Sequence, residues 1–299
     1  MKLLPEMKAS LLLLPLLVAS AHAATLVNTT FDHGASDISG STSPTFFDTT
    51  GWNSGSNNVR YESSVTASWA GGDSDYTLLP SGFNAGGAMA ASPASTNITR
   101  GMQLDLGVSL TGTFWISALM QLSSTTADTF GYIGFENGTI TAGGAPDHGG
   151  FGFRSDGSLL TTVGSIGTDT GVDLPGAANT WHLFLAKITV DSTGAATDTN
   201  DAISLWVFDA SSSIGGQTEA ALGTATYTSS SMRFGSAIQD VWFGANRTST
   251  GTTAYLDNLR VSNLGTDAGL LEVLNPIPEP GTALALAFAA GLLAVRRRR

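Results

Sequence analysis

Carboxylates are the groups in this chain best able to do chemistry, and their spacing limits what that chemistry is. After Glu6, glutamate is confined to Glu62, Glu136, Glu219, Glu272 and Glu279. Hydrolysis of a glycosidic bond needs two carboxyl groups at one site. Neither Glu62 nor Glu136 has an acidic neighbour two or four residues away, so no single strand presents such a pair. A pair would have to be assembled from separate strands, with Asp in one role. His33, His148 and His182 are far apart. His182 lies in an apolar strand pattern and reads as a packed or hydrogen-bonded side chain. Asp147 and His148 form a loop pair that reads as a solvated turn. There is no Gly-x-Ser-x-Gly, His-Glu-x-x-His, Walker or Gly-x-Gly-x-x-Gly motif.

Oxygen ligands are more abundant. Calcium takes clustered oxygens from Asp, Asn and carbonyl groups. The polar stretch from Asp191 to Asp201 supplies Asp191, Asp198, Asn200 and Asp201, which makes it the candidate calcium loop; a second acidic turn holds Asp73 and Asp75. Neither follows EF-hand spacing, and a hydrated hairpin is the other reading of each. Six tryptophans raise the option of stacking on pyranose rings. Trp115, Trp181, Trp206 and Trp242 sit in strand patterns where packing is the default. Trp52 and Trp69, beside turn-rich stretches, are the candidates for an exposed sugar platform.

The elements that must position these residues are strands. The chain has 36 Gly, 12% charged residues and little helical periodicity before its end. Met102, Leu104 and Leu106 alternate with Gln103 and Asp105. Beyond Gly112, Phe114, Ile116, Ala118, Met120 and Leu122 share one face, and Trp115 and Leu119 lie on the other. Both faces are apolar, as an interior strand requires. Phe130 to Glu136, Gly150 to Arg154, Trp181 to Val190, Ala202 to Phe208, Asp240 to Ala245 and Ala254 to Ser262 read as further strands. Ala24 to Asp32 and Val59 to Trp69 read the same way. Arg154 to Ser158 is a turn. Val261 to Asn275 is a connector, in which Leu270 to Leu274 forms one helical turn. With no cysteine there is no disulfide and no thiolate metal site.

Both ends carry export features. Lys2 and Lys8 precede an apolar run from Leu11 to Val18, and Ala21-His22-Ala23 has small residues on either side of one position. This predicts a signal peptide over 1–23, cleaved between Ala23 and Ala24. At the other end, Pro276, Pro278 and Pro280 hold the backbone extended. Thr282 to Val295 is an uncharged run, about 21 Å long at roughly 1.5 Å per residue, against a hydrocarbon core of about 30 Å. Arg296, Arg297, Arg298 and Arg299 follow, a cationic block that stays cytoplasmic. Without Lys2, Lys8, Glu6 and these four arginines, 13 basic and 24 acidic residues become 7 and 23, a net of −16. Such a surface repels nucleic acid and anionic membranes, and tolerates divalent cations and neutral glycans.

Pro278-Glu279-Pro280, a short hydrophobic helix and a terminal Arg cluster resemble the PEP-CTERM sorting signal of Gram-negative bacteria. The resemblance covers about the last 24 residues. It implies recognition by an exosortase-like membrane enzyme, removal of the tail, and delivery from the inner membrane to the cell surface or the extracellular matrix, often in exopolysaccharide producers. A second resemblance spans about Thr96 to Leu264. Thr113-Phe-Trp-Ile-Ser-Ala-Leu, Trp181-His-Leu-Phe-Leu-Ala-Lys-Ile, Ile203-Ser-Leu-Trp-Val and Asp257-Asn-Leu-Arg-Val resemble strands of laminin-G-like, concanavalin-type jelly rolls. Those domains often end in Asp-Glu-Ile-Arg-Ile, and here Asn258 stands in place of the Glu. This resemblance implies two antiparallel sheets packed face to face.

The expected organisation is therefore an all-β sandwich over 24–265, a linker over 266–277 and a sorting signal over 278–299 whose hydrophobic helix is 282–295. The expected role is that of an exported, non-enzymatic surface or matrix protein, associated with exopolysaccharide, with no cofactor beyond possible calcium. A carbohydrate-binding module and a divergent glycanase are the alternatives.

Overall fold

The computed structural model describes residues 25–29, 47–48, 59–62, 88–91, 100–125, 129–136, 149–162, 168–193, 199–247 and 252–275. Fifteen strands, a one-turn 3-10 helix at Glu219–Leu222 and one α-helix occupy them. The expectation of an all-β jelly-roll sandwich is borne out. Expectations that fall on the signal peptide with Ala23 and Ala24, on Trp52 and Trp69, on Asp198, and on the tail with Pro278, Glu279, Pro280 and Arg296 to Arg299 lie outside the described residues. Among the described residues, no helix is long and apolar enough to cross a membrane.

The first sheet is built on β6 (Gly112–Leu122), β11 (His182–Val190), β12 (Asp201–Asp209), β13 (Tyr227–Met232) and β15 (Ala254–Ser262). Its order is β13-β12-β11-β6-β15, continuing to β4 (Ala88–Ala91) and β3 (Val59–Glu62). β1 (Thr25–Thr29) also pairs with β15. The second sheet runs β10 (Thr168–Asp173), β9 (Ser158–Thr162), β8 (Gly150–Arg154), β7 (Thr129–Glu136), β14 (Ile238–Arg247), β5 (Arg100–Leu110) and β2 (Phe47–Asp48). Every pairing is antiparallel.

The strand alternation explains the layers. Phe114, Ile116, Ala118, Met120 and Leu122 of β6 join Phe184, Ala186 and Ile188 of β11 in one buried cluster. The second sheet contributes Ile133, Phe135, Phe151, Phe153, Val241 and Phe243 to the same cluster, which is the core between the sheets. The Phe151 and Phe184 rings stack across it with centroids 5.9 Å apart. β10 and β13 were not legible as strands, because exposed edges alternate Thr, Ser and Asp rather than apolar residues.

The opposite face of β6 is also buried, and the covering element comes from the stretch read as a connector. Asp267–Leu274 is a two-turn helix, α1, longer than the single turn expected. Its Leu270, Val273 and Leu274 pack with Trp115, Leu119, Trp181, Leu183, Leu185 and Trp206. Polar contacts fix the docking. Ser117 donates its hydroxyl to the Val273 carbonyl at 2.7 Å. The fully buried Arg260 donates from Nη1 to the Val273 and Leu274 carbonyls, at 2.9 and 2.6 Å. These are final carbonyls of α1, which have no partner inside the helix, and a cation there also meets the negative end of the helix dipole.

Arg260 reaches this position because β15 is bulged. Its register against β6 shifts between Asp257 and Arg260, and Asn258 there has φ 50°. Asn adopts this left-handed conformation more readily than most residues, which suits Asn258 to the bulge. The Asn258 side chain in turn accepts from Arg260 Nη2 at 3.3 Å.

Replacing Arg260 by Met should cost about 1–3 kcal/mol for each buried carbonyl left without a donor. Urea denaturation of Arg260→Met should show the loss, and Arg260→Lys, with one compact ammonium, should fall between it and the parent. Equal stability of all three would remove Arg260 from this role.

Candidate functional site

The strand register of the second sheet places carboxylate and aromatic residues together on its outward face. The register sets Asp240 of β14 opposite Glu136 of β7 on one side and Asp105 of β5 on the other. Three carboxylate residues therefore occupy one rung across three adjacent strands. In the next rung of that face, Trp242 stands between Gly134 and Gln103. In the one after, Tyr132 stands between Gly152 and Gly244.

Facing residues on neighbouring strands have Cβ atoms about 4.5–5.5 Å apart. Of the three residues, the sequence drew attention only to Glu136. Its neighbours come from distant strands, as an assembled pair requires, and only pairing register reveals them.

Burial determines how this face is used. Trp242 and Tyr132 are buried and Asp240 is 6% exposed. The two rings lie with centroids 4.0 Å apart at 41°, and Phe130 lies 5.7 Å from Tyr132. Glycine makes the arrangement possible. A Cβ on Gly152 would stand 2.2 Å from the Gly131 carbonyl oxygen and 2.5 Å from the Tyr132 Cβ. The rings rest on strands stripped of side chains, and they are packed in rather than offered to solvent.

The sequence-designated residues fall elsewhere. Trp115, Trp181 and Trp206 are buried under α1, as their strand patterns implied. Trp115 and Trp206 lie 5.5 Å apart, and Lys187 Nζ sits 5.8 Å from the Trp115 ring centroid while bonding Glu219 at 2.6 Å. Glu272 accepts from the Ser262 hydroxyl. His182 is buried, with Nδ1 2.9 Å from the Thr180 carbonyl.

Two residues of the candidate calcium loop, Asp191 and Asp201, accept hydrogen bonds from within the chain. Asp201 is buried; its Oδ1 accepts from Asp191 N at 2.7 Å and its Oδ2 from Phe234 N at 2.5 Å. Asp191 accepts from the Thr193 hydroxyl and N–H at 2.7 and 2.9 Å. These donors, with Asn200, hold its carboxyl below the usual carboxylate range. Among the described residues no group of three or more His, Cys, Asp or Glu is placed to hold a metal ion. Asp201 is thus a brace that ties the hairpin from β11 to β12 onto the chain after β13.

No family model matches the chain, and no curated protein matches it. Solved structures similar to it include the botulinum neurotoxin serotype C1 binding domain, with a TM-score of 0.41 and 11% identity over 86% of this chain and 53% of that one. The binding domain of serotype G gives 0.41 and 10% over 84% of this chain and 50% of that one. A structure reported with endo-acting O-glycanases of the human gut microbiota that initiate mucin breakdown gives 0.43 and 11%, over 81% of this chain and all of that one. The chain spans about half the length of the toxin domains it matches.

Because both Asp201 oxygens meet backbone N–H groups, Asp201→Asn must set an amide NH2 against a donor. It should lose about 1–3 kcal/mol in chelator-treated protein. Faster amide hydrogen exchange at Asp191 and Phe234 should accompany the loss. A variant destabilised only when calcium is present would instead identify Asp201 as a metal ligand.

Proposed function

We propose that this chain is an exported, non-enzymatic surface or extracellular-matrix protein. In this reading the sandwich is a structural module in contact with exopolysaccharide, and the tail from Pro278 to Arg299 is a sorting signal processed by an exosortase-like enzyme. The observation that carries the structural role is the sealing of both broad faces. The outer face of the first sheet is closed by α1 over Trp115, Trp181 and Trp206, and that of the second holds Tyr132 and Trp242 out of solvent. Aromatic rings packed away in this manner are not available at these faces to stack on sugars. What the described strands expose instead is hydroxyl and carboxylate: Thr228, Ser230 and Ser231 on β13, Asp169 and Asp173 on β10. Groups of this kind hydrate well and hydrogen-bond to neutral glycans without a fixed pocket.

A carbohydrate-binding module is the second reading, and the rung of Glu136, Asp240 and Asp105 favours it. Electrophoresis through gels containing a polysaccharide panel separates the two. A structural module migrates unretarded. A binding module is retarded, and Asp240→Asn should restore its mobility while leaving its melting temperature close to that of the parent. Release of reducing sugar from any polysaccharide in the panel would instead make the chain an enzyme.

The sorting half of the proposal is tested by intact mass of the native protein from membrane and extracellular fractions. A chain beginning at Ala24 and ending near Pro280 outside the inner membrane is the expected result. Retention of Arg299 in a membrane-bound product would reduce the tail to an ordinary anchor.

A further inference from the structure

We propose that His182 Nε2 and Asp209 Oδ2 form a binding site for a divalent transition-metal cation at the rim of the sandwich. The two residues are paired across β11 and β12. The Thr180 carbonyl can only accept, so His182 Nδ1 carries the ring proton and donates it at 2.9 Å. The neutral ring then presents a bare lone pair at Nε2, which is buried and has no hydrogen-bond partner.

Asp209 is oriented as firmly. Its Oδ1 accepts from Ser211 N at 2.8 Å and from the Ser211 hydroxyl at 2.5 Å. Its Oδ2 lies 2.7 Å from where a Cβ on Gly176 would stand, and His182 Nε2 lies 3.8 Å from the same point. Gly176 has φ 124°, a conformation that favours glycine, so the space over both acceptors stays clear. The Thr180 hydroxyl is shared between the Ala177 carbonyl, at 2.8 Å, and the Asp209 carboxylate, which it helps to orient. The imidazole lone pair and the carboxylate therefore face the same space beside Gly176. A cation satisfies that arrangement.

The chemistry selects its class. Imidazole nitrogen with carboxylate oxygen suits zinc, copper or nickel, whereas calcium takes oxygen alone. An imidazole whose other nitrogen donates to a backbone carbonyl is oriented as metal-bound histidines usually are. The Phe153 ring, 6.0 Å from the imidazole, covers it from the facing sheet. Two protein side chains leave the remaining coordination to water, through the partly exposed Asp209. Burial, opposed by the Thr180 carbonyl and Asp209, keeps the His182 pKa below the usual histidine value.

The test uses the full-length chain with 15N-labelled histidine, titrated with zinc alone at neutral pH. The His182 Nε2 resonance, assigned by its absence in His182→Gln, should move on saturation. Calorimetry should show zinc affinity at least tenfold weaker in His182→Gln and in Asp209→Asn. The second variant keeps the Ser211 contacts and serves if the first does not fold. A His182 Nε2 resonance that titrates with pH but ignores zinc would mean that only a proton uses the gap, and would overturn the proposal. Unchanged zinc affinity in Asp209→Asn would overturn it as well.

Discussion

The closed form of this sandwich depends on a single buried cation. Arg260 stands inside the first sheet's outer layer and must be neutralised where water does not reach. It meets that demand at the carboxyl end of α1, where two carbonyls have no helical partner. Each group would be costly alone, and together they satisfy one another. The contact also holds Leu270, Val273 and Leu274 over three tryptophans, which would otherwise form an apolar patch on the surface. The bulge at Asn258 belongs to the same arrangement, because it places Arg260 on the side of β15 that faces α1.

The second sheet closes its outer face by a different route. It has no described helix there. Instead it removes side chains, with Gly134, Gly152 and Gly244 beside the rings of Tyr132 and Trp242. Large aromatic rings over glycine recover the area that glycine cannot bury and hold the strands in register. Both sheets thus carry aromatic residues on their outer faces, and both keep them from solvent. Beyond the rung at Asp240, His182, Asp209 and Asp201 place further polar chemistry at strand ends.

How much of this was legible in the sequence follows from range. β6 was readable because apolar residues on both faces can mean only a doubly covered strand, and the turn at Arg154 to Ser158 was readable from its own residues. The covering element was harder. Leu270 to Leu274 looked like a single turn because its partners, Ser117 and Arg260, are supplied by strands, and a short helix draws its stability from such packing. The carboxylate rung was invisible for the same reason. Asp105, Glu136 and Asp240 are neighbours only once register is set, and register is a property of pairs of strands. Asp201 was read as one of several loop oxygens; that it turns inward to backbone N–H groups was not encoded in its spacing from Asp191.

The pairing of β1 with β15 sets the order of assembly. Thr25 meets Ser262 and Thr29 meets Leu259, so the first described strand completes its ladder only against the last. The interior strand β6 likewise pairs with β11 and β15, both well downstream. Closing contacts across nearly the whole length of a chain costs loop entropy before any ladder repays it, and such topologies fold slowly. A polypeptide emerging amino end first can form local hairpins such as β8 with β9 or β11 with β12, but the sandwich cannot shut until residue 262 is free. The fold is thereby a late event in the life of the chain, and until it occurs Trp115, Trp181 and Trp206 have no cover. The period between emergence and closure is when this protein most needs to be kept from its neighbours.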